Sequence, residues 1–389
     1  MNNRRTEKPP VWLTWVGDMS AITKFLLAKP WLSPWCISKT ANSILRAIGV
    51  VAFANNPVSG ALILGAMFVG NINVAWACLL AGVIGVIFSK VLSQPEQLIS
   101  DGVVVFNGIL VGCISVAVFP GITGHAIDAS FWLFLTIVLI ITAYVDRGLN
   151  AIMAPCQLPA LSIPFNFAAV LLLLSMRSAA GLTGTQLPPT ATSTTNSANS
   201  TIELDWSKVM EGTLLAAGQI YGVGTIDPSI LIYLAFLLFS PVLTIFFYMG
   251  SVIGTIIGAL VSAAPYTDVY IGLWGYNSML TAGAVSYFVV PTPGVVLAAA
   301  VGATIAATVQ AATLHIFSAM TVPVLSYPFN VASLLILAIA VTHDSPFSWV
   351  PEKTFPEYHL FLYVQSLRRC QNTVTSSEAP EELLQVNHK

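Results

Sequence analysis

Charge is what this 389-residue chain has least of. Lys, Arg, Asp and Glu make up 8% of it, about a third of their share in a soluble domain. The 56% that is hydrophobic exceeds what a soluble core can hide, so the bilayer has to be the solvent. Net charge is −2, and no basic patch is present for a nucleic acid. The five cysteines (Cys36, Cys78, Cys113, Cys156 and Cys370) lack metal-ligand spacing. Most sit in apolar runs, where they read as packing residues or free thiols. No cofactor or metal site is expected. The short alternating segments of an outer-membrane barrel are also missing. No signal peptide is visible, because the first apolar stretch follows a basic, Pro-containing leader too long and irregular for one.

In place of these the chain has long apolar runs: 74–92, 103–119, 131–145, 231–248 and 295–314. Inside hydrocarbon a helix pairs its own backbone groups, so these predict membrane helices. Arg and Lys cluster at the two ends. Arg4, Arg5, Lys8, Lys24, Lys29, Lys39 and Arg46 precede the first deep run; Lys353, Arg368, Arg369 and Lys389 follow the last. The positive-inside rule then places both termini in the cytoplasm. The stretch 181–205 has neither Lys nor Arg, is rich in Thr, Ser, Pro and Asn, and carries the sequon Asn199-Ser200-Thr201. It reads as an extracellular linker with Asn199 as a glycosylation acceptor.

The chain also repeats itself. Leu-Ser-Ile-Pro-Phe-Asn at 161–166 returns as Leu-Ser-Tyr-Pro-Phe-Asn at 325–330, an offset of 164 (325 − 161). Phe106-Asn107-x-x-Leu110 returns as Tyr276-Asn277-x-x-Leu280, with Gly102 and Gly272 upstream, and Asn56-Pro57 is paired with Asp227-Pro228. An inside N-terminus and an outside centre require an odd number of crossings per half, so the halves are inverted. The fold expected is an all-α polytopic membrane protein. It has two inverted homologous halves, about ten spanning helices and short half-membrane helices around a central pore. The boundaries are an N-terminal segment 1–41, a first repeat 42–178, a linker 179–208, a second repeat 209–345 and a tail 346–389. Spans are expected near 57–70, 74–92, 103–119, 130–154 and 162–177, then 228–239, 242–262, 270–290, 294–316 and 328–342. The first and last of each set are short for a bilayer. Short apolar helices precede the halves near 42–54 and 209–222. Pro164 and Pro328 suit the first turns of half-helices.

At these motifs the chain resembles the urea transporter family. Asn55-Asn56-Pro57-Val58-Ser59-Gly60 is similar to its first-half signature and Gly218-Gln219-Ile220-Tyr221-Gly222 to the second-half counterpart. Ser262 through Ser278 resembles a long family motif, and Leu158–Phe165 and Val322–Phe329 resemble its paired Pro-containing segments. The resemblance covers roughly 42–345. It implies a plasma-membrane homotrimer with one pore per subunit and passive permeation of urea, with no catalysis. It also implies aromatic slots from Phe53, Phe106 and Tyr276, a centre lined by Leu110, Leu280, Val51 and Ile220, and polar contacts from Ser162, Ser326 and Gln219. The chain departs from the pattern in three places. Val50 stands where the family carries a Gln, both filter Thr positions are Ser162 and Ser326, and the stretch Val223–Pro228 replaces Cys-Asp-Asn-Pro. These mark a divergent member.

Urea is planar and neutral, with four N–H donors and one carbonyl acceptor, and oxygens along one wall replace its water. An apolar, uncharged lining excludes ions by desolvation. The competing reading is an ion-coupled secondary transporter, which would bury carboxylates in its helices. Asp101, Asp146, Glu211, Asp227 and Asp268 are expected at helix ends instead, where solvation or capping explains them. Asn107 and Asn277 are expected to brace helix ends. Thr375, Ser376 and Ser377 fall in a hydroxyl-rich terminus expected to lack order.

Overall fold

The computed structural model describes residues 16–179 and 203–377, with side chains as far as Arg369. Asn199 lies outside the described residues. Sixteen α-helices run in order among them. After α1 (Ser20–Leu27) the first half comprises α2 (Trp35–Val50), α3 (Pro57–Gly70), α4 (Ile72–Val91), α5 (Glu96–Ser100), α6 (Phe106–Thr123), α7 (Ala129–Met153) and α8 (Ile163–Ala179). The second comprises α9 (Trp206–Gln219), α10 (Ile226–Phe239), α11 (Pro241–Val261), α12 (Thr267–Tyr270), α13 (Gly275–Phe288), α14 (Pro293–Ala319) and α15 (Tyr327–Val341). Helix α16 (Pro356–Ser377) follows, so the hydroxyl-rich stretch expected to lack order is helical as far as Ser377.

Among the described residues five helices are long and apolar enough to cross a bilayer: 72–91, 106–123, 129–156, 241–261 and 293–319. Four more, 57–70, 163–178, 226–239 and 327–341, are apolar but shorter. The span expected near 270–290 is broken. Helix α12 ends at Tyr270, the chain turns at Gly272 (φ +83°) and α13 begins at Gly275. Its 14 residues rise only about 21 Å, which makes it another short helix.

The backbone duplicates more closely than the sequence does. Helices α3 and α10 are each 14 residues long. Asn71 and Ser240 then reset the chain at φ −158° and −160° before α4 and α11. Their side chains cap those helices by accepting from Val74 N at 3.4 Å and Leu243 N at 3.0 Å. This frame corrects one sequence pairing. Asn56 is the N-cap of α3, accepting from Val58 N at 2.7 Å, and its structural counterpart is Thr225, the N-cap of α10. Asp227 and Pro228 lie inside the first turn of α10. The two Pro residues occupy different helical positions because only the first four N–H groups of a helix are dispensable, and both fall within that allowance.

Small residues hold the bundle together. Gly250, Gly254 and Gly258 of α11 press on α13 so closely that a Cβ at Gly250 would lie 2.4 Å from the Ser278 carbonyl. Large apolar side chains point outward instead, among them Trp76, Leu133, Ile245, Leu260 and Leu297. Polar bonds also link the halves: Tyr221 Oη donates to Ile48 O at 2.9 Å and Ser59 Oγ to Ala235 O at 2.8 Å.

Candidate functional site

A cavity of about 690 Å³ runs between the two halves. Val50, Val51, Phe53, Phe106, Leu110, Ser162, Gln219, Ile220, Tyr276, Leu280 and Ser326 all border it. These are the eleven residues singled out in the sequence, drawn from α2, α6, α8, α9, α13 and α15 or the turns beside them.

The shape of the wall comes from backbone turns. Phe53, Leu161 and Leu325 have φ of +59°, +48° and +53°, a conformation that costs a non-Gly residue about 1–2 kcal/mol. All three border the cavity. Two of the turns are held by matched clamps. Asn107 Nδ2 donates to Leu161 O at 3.1 Å, and Asn277 Nδ2 donates to Leu325 O at 3.1 Å. Each clamp has an outer partner at equivalent places on α7 and α14. Asn107 Nδ2 also reaches Asp146 Oδ1 at 2.8 Å, and Asn277 Nδ2 reaches Gln310 Oε1 at 2.9 Å. The two Asn therefore brace helix starts. Asp146, expected at a solvated helix end, lies two turns before the end of α7 and is buried. Packing of α6 and α8 over α7 removed it from water, and the Asn107 amide supplies its hydrogen bond.

At the centre, Ser162 Oγ and Ser326 Oγ are 2.6 Å apart and both buried. Asn166 Nδ2 donates to Ser326 Oγ at 2.8 Å, and Asn330 Nδ2 donates to Ser162 Oγ at 3.1 Å. This reciprocity is the contact pattern of a two-fold axis, here between two halves of one chain. Two hydroxyls carry two protons and four lone pairs. The two amides take one lone pair each, and the Ser–Ser bond takes one proton and one lone pair. Ser162 Oγ also lies 3.3 Å from Asn330 Oδ1, to which it donates when Ser326 is the donor of the Ser–Ser bond, so both protons have partners and one lone pair is left to a solute as an acceptor. The Asn residues sit inside the repeated hexapeptide, and their conserved spacing from Ser was the signal that could have identified them.

The rest of the lining is asymmetric. Gln219 Nε2 donates to Ile271 O at 2.7 Å, which leaves the amide oxygen as its acceptor. Val50, at the matching place on α2, has none. The Tyr276 hydroxyl donates to Leu325 O, a bond that Phe106 lacks. Gly222 matches Phe53, so one end of the cavity is richer in rings. There Phe53 lies 5.4 Å from Tyr287, 6.0 Å from Phe288 and 6.2 Å from Phe329, ring centre to ring centre. Phe288 stacks on Trp349 at 5.7 Å and 17°. Phe106 and Tyr276 make no ring contact among the described residues, so Phe53 pairs with rings that the repeat did not reveal. Trp349 belongs to a strap after α15 that joins the end of α13: Val290 N donates to Ser348 O and Val350 N to Phe288 O, each at 3.0 Å.

No group of three or more His, Cys, Asp or Glu suited to a metal ion occurs among the described residues. Cys36, Cys78, Cys113 and Cys156 are free thiols. The arrangement is a mostly apolar passage with a small polar station at its two-fold centre; the wholly uncharged lining expected from the sequence is not what is found, since Asp101, Asp146, Arg147 and Lys353 also border the cavity.

The chain is similar to known proteins along most of its length. Urea transporter 1 of Rattus norvegicus is 31% identical over 363 residues, covering 91% of this chain and 90% of that protein. Urea transporter 1 of Ovis aries is 29% identical over 377 residues, covering 94% and 92%. The family model described as urea transporter matches residues 41–341, which takes in both repeats and every residue of the cavity centre, and this multi-pass membrane protein belongs to the urea transporter family.

Proposed function

We propose that the chain is a passive channel for urea, with the cavity between the halves as its pore. The observation that carries this reading is the Ser162–Ser326 pair on the cavity wall, steadied from both sides by Asn166 and Asn330. Its spare lone pair meets an N–H of urea, so a planar amide can shed part of its water there without being held tightly. The Gln219 oxygen adds an acceptor on one side. Phe53, Phe106 and Tyr276 present flat faces, and Val50, Val51, Leu110, Ile220 and Leu280 offer an ion nothing. Val50 in place of an amide leaves one side of the pore with fewer acceptors, which sets this member's selectivity apart.

The pseudo-two-fold relation supports two halves inverted in the plasma membrane, with both termini cytoplasmic and the linker outside, Asn199 being its glycosylation acceptor. The large outward-facing apolar side chains suit lipid and copies of the chain, in the homotrimer implied by family resemblance. Small solutes such as water and ammonia fit the same passage.

The test is stopped-flow urea efflux from vesicles containing the purified chain. Flux well above empty vesicles is expected. Replacing Na⁺ or collapsing a proton gradient should leave it unchanged. Flux at the empty-vesicle level would refute the channel, and flux that follows an ion gradient would favour the coupled reading.

A further inference from the structure

The apolar lining explains why a strongly hydrated ion such as Na⁺ stays out. It explains less well the exclusion of guanidinium, the cation with urea's own shape. Guanidinium is planar, carries N–H donors around its rim, is weakly hydrated for a cation and stacks on aromatic faces. The ring-rich end of the cavity would therefore attract it.

One cation is already in that position. Lys353, at the end of the strap, borders the cavity. Its Nζ lies 5.0 Å from the Trp349 ring centre and 5.8 Å from that of Phe288. These two rings stack on each other, and Phe288 touches Phe53. Among the described residues no carboxylate lies within ion-pair distance of Lys353. Glu352 is its exposed neighbour. Asp101, also on the cavity, accepts from Gln97 Nε2 at 2.6 Å. The buried Arg46 behind this wall is bonded to Asn42, Asn55 and the Met19 carbonyl. The ammonium is thus held by the aromatic faces and by the Pro351 carbonyl, to which Nζ donates at 3.4 Å, and not by a counter-charge.

We propose that Lys353 is a specificity residue: it occupies the cation position on the Phe288–Trp349 stack and so denies guanidinium the aromatic mouth while leaving neutral urea free to pass. The inference rests on the urea-channel reading.

It is tested with urea efflux from vesicles at millimolar guanidinium chloride, against NaCl of equal ionic strength. Wild type and Lys353→Arg should be inhibited only at high and similar guanidinium concentrations. Lys353→Met should be inhibited at concentrations about tenfold lower, the size of one cation–π contact, and Lys353→Glu lower still. Equal guanidinium sensitivity across the series would overturn the proposal. So would labelled guanidinium entering wild-type vesicles as readily as urea, a measurement that needs no variant. Absence of urea flux in wild type would instead refute the channel reading beneath it.

Discussion

Ser326 is the residue at which substitution is most informative. Ser326→Val removes the oxygen that accepts from Asn166 Nδ2 and pairs with Ser162 Oγ. A buried donor left without its partner costs about 1–3 kcal/mol. Part of that cost falls on urea at the constriction, where about 1.4 kcal/mol is tenfold in rate. Urea flux should fall about tenfold in Ser326→Val and stay near wild type in Ser326→Thr, which keeps the hydroxyl. Stopped-flow light scattering on matched vesicles reads both. Equal flux in all three would remove the serine pair from the mechanism.

Among the elements, the turns ahead of α6 and α13 bear the most geometric demand. Gly102 has φ +73°, and a Cβ there would sit 2.3 Å from Ala47 N and 2.6 Å from Ala47 Cα. Gly272 has φ +83°, with a Cβ 2.6 Å from Ala216 N. The obstacles are backbone atoms of α2 and α9, which cannot rotate away. Gly102→Ala and Gly272→Ala should each lose about 3 kcal/mol or more from left-handed strain and overlap together. Gly65→Ala, in α3, meets nothing within 4 Å, and should gain up to about 1 kcal/mol of helix propensity. Thermal unfolding midpoints in detergent separate the two cases. A Gly102→Ala protein as stable as Gly65→Ala would contradict the packing of α2 against this turn.

At the scale of the whole molecule, the strap and α16 join the last half-helix to the cavity mouth. His359 is buried, and its Nε2 accepts from Thr354 N at 2.9 Å. Burial pulls its pKa down to about 4 from its ordinary 6.5. Between those values the start of α16 binds more protons unfolded than folded, so the stability of its contact with the strap rises with pH there. The contribution is complete above pH 6.5 and is lost as pH falls through about 4. Proteolysis at the strap should accelerate as pH drops through that window, and a His359→Phe variant should lose the dependence. The membrane class, the duplication and the family motifs were legible in the sequence, because composition and repetition are properties of the chain taken one residue at a time. So were the residues of the cavity centre, since each half carries its own copy of the motif. The bond between Ser162 and Ser326, 164 positions apart in sequence, was decided by the tertiary structure alone. So were the burial of Asp146, the break at Gly272 and the placing of Tyr287, Phe288, Trp349 and Lys353 at one mouth. Those contacts depend on how helices pack and on a strap that doubles back, and Gly222, at the place that matches Phe53, gives the ring cluster no echo in the repeat.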